Sequence, residues 1–204
     1  MATASRQAVV ILHEIYGINA HIQHVREEWQ GRGFDVFTPA LFPHTQPFTH
    51  AEQEMAYRHF TQQVGFDSAP VVSLLSTLRA QYTTLIVVGY SVGATLAWLA
   101  ARSGLCDGVI CHYGSRIRQH CDAAPPCPAL ILIARHEPAF DTSVLQQTLA
   151  AFPLVQCDMF DAHHGFCDAE STTFDEGMAR RARERVWEFV ASICVWKGLA
   201  GFHL

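Results

Sequence analysis

Leu85-Ile86-Val87-Val88-Gly89-Tyr90-Ser91-Val92-Gly93-Ala94 is the stretch that decides the fold. An apolar, β-branched run breaks into GYSVGA and then resumes at helical spacing through Leu96, Leu99 and Ala100. The run at 85–89 reads as a buried parallel strand and the continuation as a helix. Between them, GxSxG has the form of a nucleophile elbow. Gly89 and Gly93 lack the Cβ atoms that would collide where a strand bends sharply into a helix, which lets Ser91 sit in a strained turn with its hydroxyl exposed. A bare GxSxG also arises by chance, as a tight turn with a small residue at its centre. The strand before it and the helix after it favour the catalytic reading.

The same rhythm extends in both directions. Apolar runs at 8–13, 34–38, 108–112, 129–134 and 154–160 predict five further strands, with amphipathic segments in most of the gaps. This is an α/β pattern: a mostly parallel central sheet with helices on both faces. Asn19 is placed to cap a helix running to about Arg32, where Gly31 and Gly33 end it. Asp141 is placed to cap a helix over 142–151, and a last helix covers 175–195. The segment 40–81 is less regular. It opens with a loop over 41–47 containing Pro43 and Pro47, then predicts two helices, the second starting near Ser68 with Pro70 in its first turn. Pro125, Pro126 and Pro128 mark another loop. No repeat or linker divides the chain, so 1–204 reads as a single domain.

At 204 residues the chain can bury about 70% of its unfolded surface without disulfides or a metal. Its net charge is −5 with 16% charged residues, so it has neither the basic footprint of a nucleic-acid binder nor a polybasic membrane anchor. Seven cysteines without a CxxC pair argue against a disulfide framework and for a reducing, cytoplasmic location. The N-terminal MATASRQAVV has no basic-then-apolar signal segment. The apolar stretch 85–101 is shorter than the ~20 residues of a membrane span. A small-molecule partner is expected. The oligomeric state is left open, and a monomer is compatible with the sequence.

A serine hydroxyl needs a base to remove its proton, so the elbow predicts a histidine and an acid farther along the chain, each soon after a strand. After 129–134 comes Arg135-His136-Glu137-Pro138-Ala139-Phe140-Asp141, and after 154–160 comes Asp161-Ala162-His163-His164-Gly165-Phe166. Asp141 has the position of a helix cap, which makes Glu137 the expected acid and Asp141 the reserve. Proximity to the strand does not separate His163 from His164, although Gly165 allows a turn that leaves His164 facing the site. His21 and His24 share a helix face and Cys111 adjoins His112. Without HExxH or paired-cysteine spacing, however, no metal site is expected. Cys106, Cys111 and Cys194 read as small core residues.

These residues resemble the dienelactone hydrolases, a branch of the α/β-hydrolase superfamily, over nearly the whole chain. The match runs through His13-Glu14-Ile15-Tyr16-Gly17-Ile18-Asn19, Gly33-Phe34-Asp35, Pro39-Ala40-Leu41-Phe42, the elbow, the acid position and the His164-Gly165-Phe166 turn. The resemblance implies an α/β-hydrolase fold and a triad of Ser91, His164 and Glu137, with Glu14 as an additional carboxylate near the nucleophile. It also implies an oxyanion hole made by the backbone N–H groups of Ile15 and Val92. The family pattern has cysteine at the elbow and aspartate as the acid, where this chain has Ser91 and Glu137. The arginines that grip a substrate carboxylate in that family have no clear equivalent, since Gln53 precedes Tyr57 and Cys167-Asp168 follows Phe166. Asp168 is expected to repel an anionic substrate.

Tyr16, Phe42, Tyr57 and Phe166 are candidates for an apolar wall around a small neutral ester or lactone. Each also reads as ordinary packing. The expected function is hydrolysis of such a substrate through an acyl-serine, with no cofactor. The alternatives are a thioesterase or acyltransferase of the same fold, or a ligand-binding protein that keeps the fold without turnover.

Overall fold

In a computed structural model the continuous apolar runs form strands buried on both faces, as the centre of a parallel sheet requires. The structure describes residues 6–43 and 46–200, with side chains as far as Ile193. Six strands form one sheet: β1 (Gln7–Leu12), β2 (Asp35–Phe37), β3 (Thr84–Tyr90), β4 (Gly108–His112), β5 (Ala129–His136) and β6 (Val155–His163). Their order is β2-β1-β3-β4-β5-β6, and every neighbouring pair is parallel. Successive side chains on a strand point to opposite faces, and each face has its own core. Val10, Leu12, Val87 and Ile131 pack on one side of the sheet, while Val9, Ile11, Ile86, Val88 and Leu132 pack on the other.

The helices divide between those faces. α1 (Ala20–Gly31) and α6 (Glu176–Ala200) contribute Ile22, Val25, Trp29, Val186 and Phe189 to the second core. The other core takes Ala56 and Phe60 from α2 (Gln53–Gln63), Leu75 from α3 (Ala69–Arg79), Leu96 and Trp98 from α4 (Val92–Ala101), and Leu145 from α5 (Thr142–Leu149). Local chemistry sets the helix starts. Asn19 accepts from the Ile22 N–H, Asp141 accepts from the Ser143 N–H, and α3 carries its proline in the first turn after Ser68. α4 departs from the amphipathic expectation, because nine of its ten residues are buried. A helix apolar on all sides belongs inside the protein, and α4 lies between β3, β4 and α3.

β2 is shorter than its apolar run, as befits an edge strand paired on one side. β5 and β6 are longer than theirs, reaching the polar residues His136 and His163, which pair across an irregular register. Two ladder-bound histidines therefore replace the expected loop, and Glu137 follows β5 directly. The segment before α2 contains a short 3-10 turn, His50–Glu52. His44 and Thr45 of the expected loop, residues 1–5, and the side chain of Cys194 lie outside the described residues; Cys106 and Cys111 are buried. No described helix is long and apolar enough to cross a membrane.

The chain steps from β1 to β2 in one direction and then returns to place β3 on the other side of β1. A crevice opens at the carboxyl ends of strands on either side of such a reversal. The loop after β1 carries Glu14, and the turn after β3 carries Ser91.

Candidate active site

Ser91 stands at φ 53° and ψ −113°, a left-handed conformation that costs a non-glycine residue about 1–3 kcal/mol and is retained where surrounding structure enforces it. Close packing does the enforcing. A Cβ on Gly89 would lie 2.2 Å from the Gly93 carbonyl oxygen, and one on Gly93 would lie 2.4 Å from that of Leu12. The Ser91 N–H donates to the His112 carbonyl at 2.9 Å, tying the turn to β4.

His164 Nε2 lies 2.8 Å from Ser91 Oγ, and its Nδ1 lies 2.6 Å from Glu137 Oε1. With the Nδ1 proton donated to the carboxylate, Nε2 is left to accept from the hydroxyl. The Glu137 side chain is 6% exposed. Burial pulls the His164 pKa down, but the bond and charge of Glu137, together with the charge of Glu14, outweigh it and hold the value above the usual one. His163 instead packs its ring 5.0 Å from that of His136, and Asp141 is occupied as the α5 cap.

Ser91, His164, Glu137, Glu14, Ile15 and Tyr16 share one cavity of about 640 Å³. A second depression of about 660 Å³ between α1 and α6 contains none of the first three. Glu14 is 4% exposed, and its Oε1 has no hydrogen-bond partner among the described residues. The Val92 N–H opens α4, where helix geometry supplies no intrahelical acceptor. Among the described residues neither it nor the Ile15 N–H is engaged by a backbone acceptor.

Three of the aromatic candidates lie elsewhere. Phe42 is buried against His13, and Phe166 is fully buried between Phe160 and Tyr113. Tyr57 is 41% exposed and accepts from Arg116 at 3.0 Å. Asp168 does not line the cavity; it is fully buried and faces His50. Among the described residues no arginine or lysine lines the cavity. The rim carries His50, His136 and Thr173 instead, and the Thr173 hydroxyl donates to the His164 carbonyl at 2.6 Å.

Two buried residues escaped the sequence reading. His13 Nδ1 donates to the Glu14 carbonyl at 2.6 Å, and its Nε2 accepts from the Leu41 N–H at 3.0 Å. Burial lowers its pKa to about 4, so it stays neutral and keeps that acceptor. Tyr113, at φ 40°, holds its ring 5.0 Å from that of His164. Burial first, and then the charge of Glu14, push its hydroxyl pKa well up. Each is a polar residue that directly follows an apolar interior strand, β1 or β4, and that placement is the signal that marks both positions.

Residues 1–194 match the family model described as "Dienelactone hydrolase family". The chain is 32% identical over 172 residues to the uncharacterized protein YczH of Bacillus subtilis (strain 168), covering 83% of this chain and 85% of that protein. It is 26% identical over 211 residues to a carboxymethylenebutenolidase of Pseudomonas putida, covering 94% and 88%. A solved dienelactone hydrolase-like promiscuous phosphotriesterase from metagenomic libraries superposes with TM-score 0.72 at 15% identity, covering 94% and 88%. A Pyrococcus furiosus esterase does so with TM-score 0.67 at 14% identity, covering 93% and 84%. At those identities the structural likeness establishes the α/β-hydrolase fold.

Proposed function

This chain belongs to the dienelactone hydrolase family, and from that premise we propose that it hydrolyses small neutral esters or lactones with Ser91 as nucleophile. The observation that carries the proposal is the unbroken line Ser91 Oγ, His164 Nε2, His164 Nδ1, Glu137 Oε1, with its two contacts of 2.8 and 2.6 Å. Ser91 attacks the carbonyl carbon while His164 takes the hydroxyl proton. The imidazolium so formed is held by Glu137, and its charge is further favoured by Glu14. The Ile15 and Val92 N–H groups receive the developing oxyanion, a contribution of about 3 kcal/mol for each such donor. His164 then returns the proton to the leaving oxygen. Water, activated by the same imidazole, releases the acid from the acyl-serine. A cavity without arginine or lysine favours neutral substrates over carboxylates.

A pH–rate profile tests this assignment. His164 accepts a proton only when neutral, and its pKa is raised. With a short p-nitrophenyl ester, kcat/KM is therefore expected to climb with pH along an acid limb above the usual histidine value. Glu14→Gln removes one of the charges that raise that pKa, so the limb should move to lower pH. A limb that stays in place, or moves upward, contradicts the assignment.

A further inference from the structure

Outside the Ser91–His164–Glu137 line, the fold assembles a second group of chemically capable side chains. His50, in the 3-10 turn before α2, meets Asp168 and Glu170, in the loop that follows His164. One donor atom from each lies within 4.8 Å of the others, and His50 Nε2 is 3.0 Å from Asp168 Oδ2. We propose that these three residues form a binding site for a divalent transition-metal ion, with zinc as its representative, beside the Ser91 cavity, to whose lining His50 alone of the three belongs.

The charge balance points to a cation. The Asp168 side chain is fully buried, and a second carboxylate, Glu170, is brought beside it. Among the described residues no lysine or arginine is paired with either. A hydrogen bond to His50 accounts for Asp168 alone, and leaves Glu170 gathered toward a carboxylate that repels it. One imidazole nitrogen with two carboxylate oxygens suits zinc and its neighbours better than calcium or magnesium, which favour sites made entirely of oxygen. In tetrahedral zinc coordination, donors bound at about 2.0–2.1 Å stand roughly 3.3 Å apart. His50 and Asp168 are already near that separation, and the exposed Glu170 side chain closes the third position by rotation.

Supporting contacts orient the donors, as outer contacts commonly do around a metal. The Tyr16 ring lies 4.2 Å from the His50 imidazole. The Thr49 N–H donates to Glu52 Oε2 at 2.8 Å, shaping the turn that presents His50. Asp168 Oδ1 accepts from the Glu170 N–H at 2.9 Å, leaving Oδ2 toward His50. His50 is 118 residues from Asp168 in sequence, so no linear spacing announces the set.

The test is equilibrium dialysis of the full chain against zinc, with cobalt(II) absorption as the spectroscopic readout. The expected result is one tight site per chain, with d–d bands and no thiolate-to-cobalt charge transfer. His50→Ala and Glu170→Ala should each weaken binding by about tenfold or more. Glu170 is exposed and outside the Ser91 cavity, so its variant should fold normally and retain the metal-free esterase activity. Absence of a site, a thiolate band, or affinity unchanged in both variants overturns the proposal. Metal binding is the readout, so each result holds whether or not Ser91 is the nucleophile.

Discussion

Ser91→Ala is expected to lower kcat for a short p-nitrophenyl ester on the order of 10⁴-fold or more, with KM little changed. The hydroxyl supplies the bond that splits a difficult hydrolysis into two easier steps. Without it, only the cavity and the two backbone donors at Ile15 and Val92 remain to assist water. On the proposed mechanism His164 acts mainly through Ser91 Oγ, which its Nε2 faces at 2.8 Å. Ser91→Ala and His164→Ala should therefore each be severe alone, and the double variant scarcely worse than either, as for residues that act as a unit. Steady-state kinetics on the three variants check this. A loss below about tenfold in Ser91→Ala, or losses that multiply in the double variant, would point to a ligand-binding protein or a different nucleophile.

Gly93→Ala is expected to damage fold and site together. The added Cβ would stand 2.4 Å from the Leu12 carbonyl oxygen and 2.5 Å from that of His13. Both obstacles are backbone at the end of an interior strand, so neither can rotate away as a side chain would. α4 must shift off β1, and overpacking of this kind costs about 3 kcal/mol. For a chain of this length that lowers the unfolding midpoint by roughly 6–12 °C. The same shift separates Ser91, at the start of α4, from Glu14 and Ile15 beyond β1, so kcat/KM should fall as well. Thermal unfolding followed by circular dichroism, alongside ester kinetics, measures both. An unchanged midpoint with full activity contradicts the tight elbow.

Sequence alone revealed those features that depend on local chemistry. The elbow was legible because GxSxG places its glycines where a strand, a turn and a helix crowd together, and the six strands were legible from their apolar runs. Asn19 and Asp141 could be read as caps because capping needs only a side chain and the next few N–H groups. What could not be read depends on partners distant in the chain. The extra residues of β5 and β6 stay in the ladder because each strand supplies the other's hydrogen bonds, a tertiary gain that outweighs the polar character of His136 and His163. Phe42, Tyr57 and Phe166 are all aromatic, and nothing in their neighbours says which face each will cover. Asp168 looked like a charge turned toward substrate, whereas the fold buries it against His50. His13 and Tyr113 carried the fainter signal of polar residues that directly follow buried strands.

The most direct measurement is the site of modification by a fluorophosphonate, which reacts preferentially with an activated serine hydroxyl and leaves a covalent adduct. Peptide mass spectrometry after labelling of the native protein is expected to place a single adduct on Ser91, with labelling lost in Ser91→Ala and strongly slowed in His164→Ala. An adduct on another residue, or ester hydrolysis that continues while Ser91 stays unmodified, would contradict the assignment of Ser91 as the nucleophile.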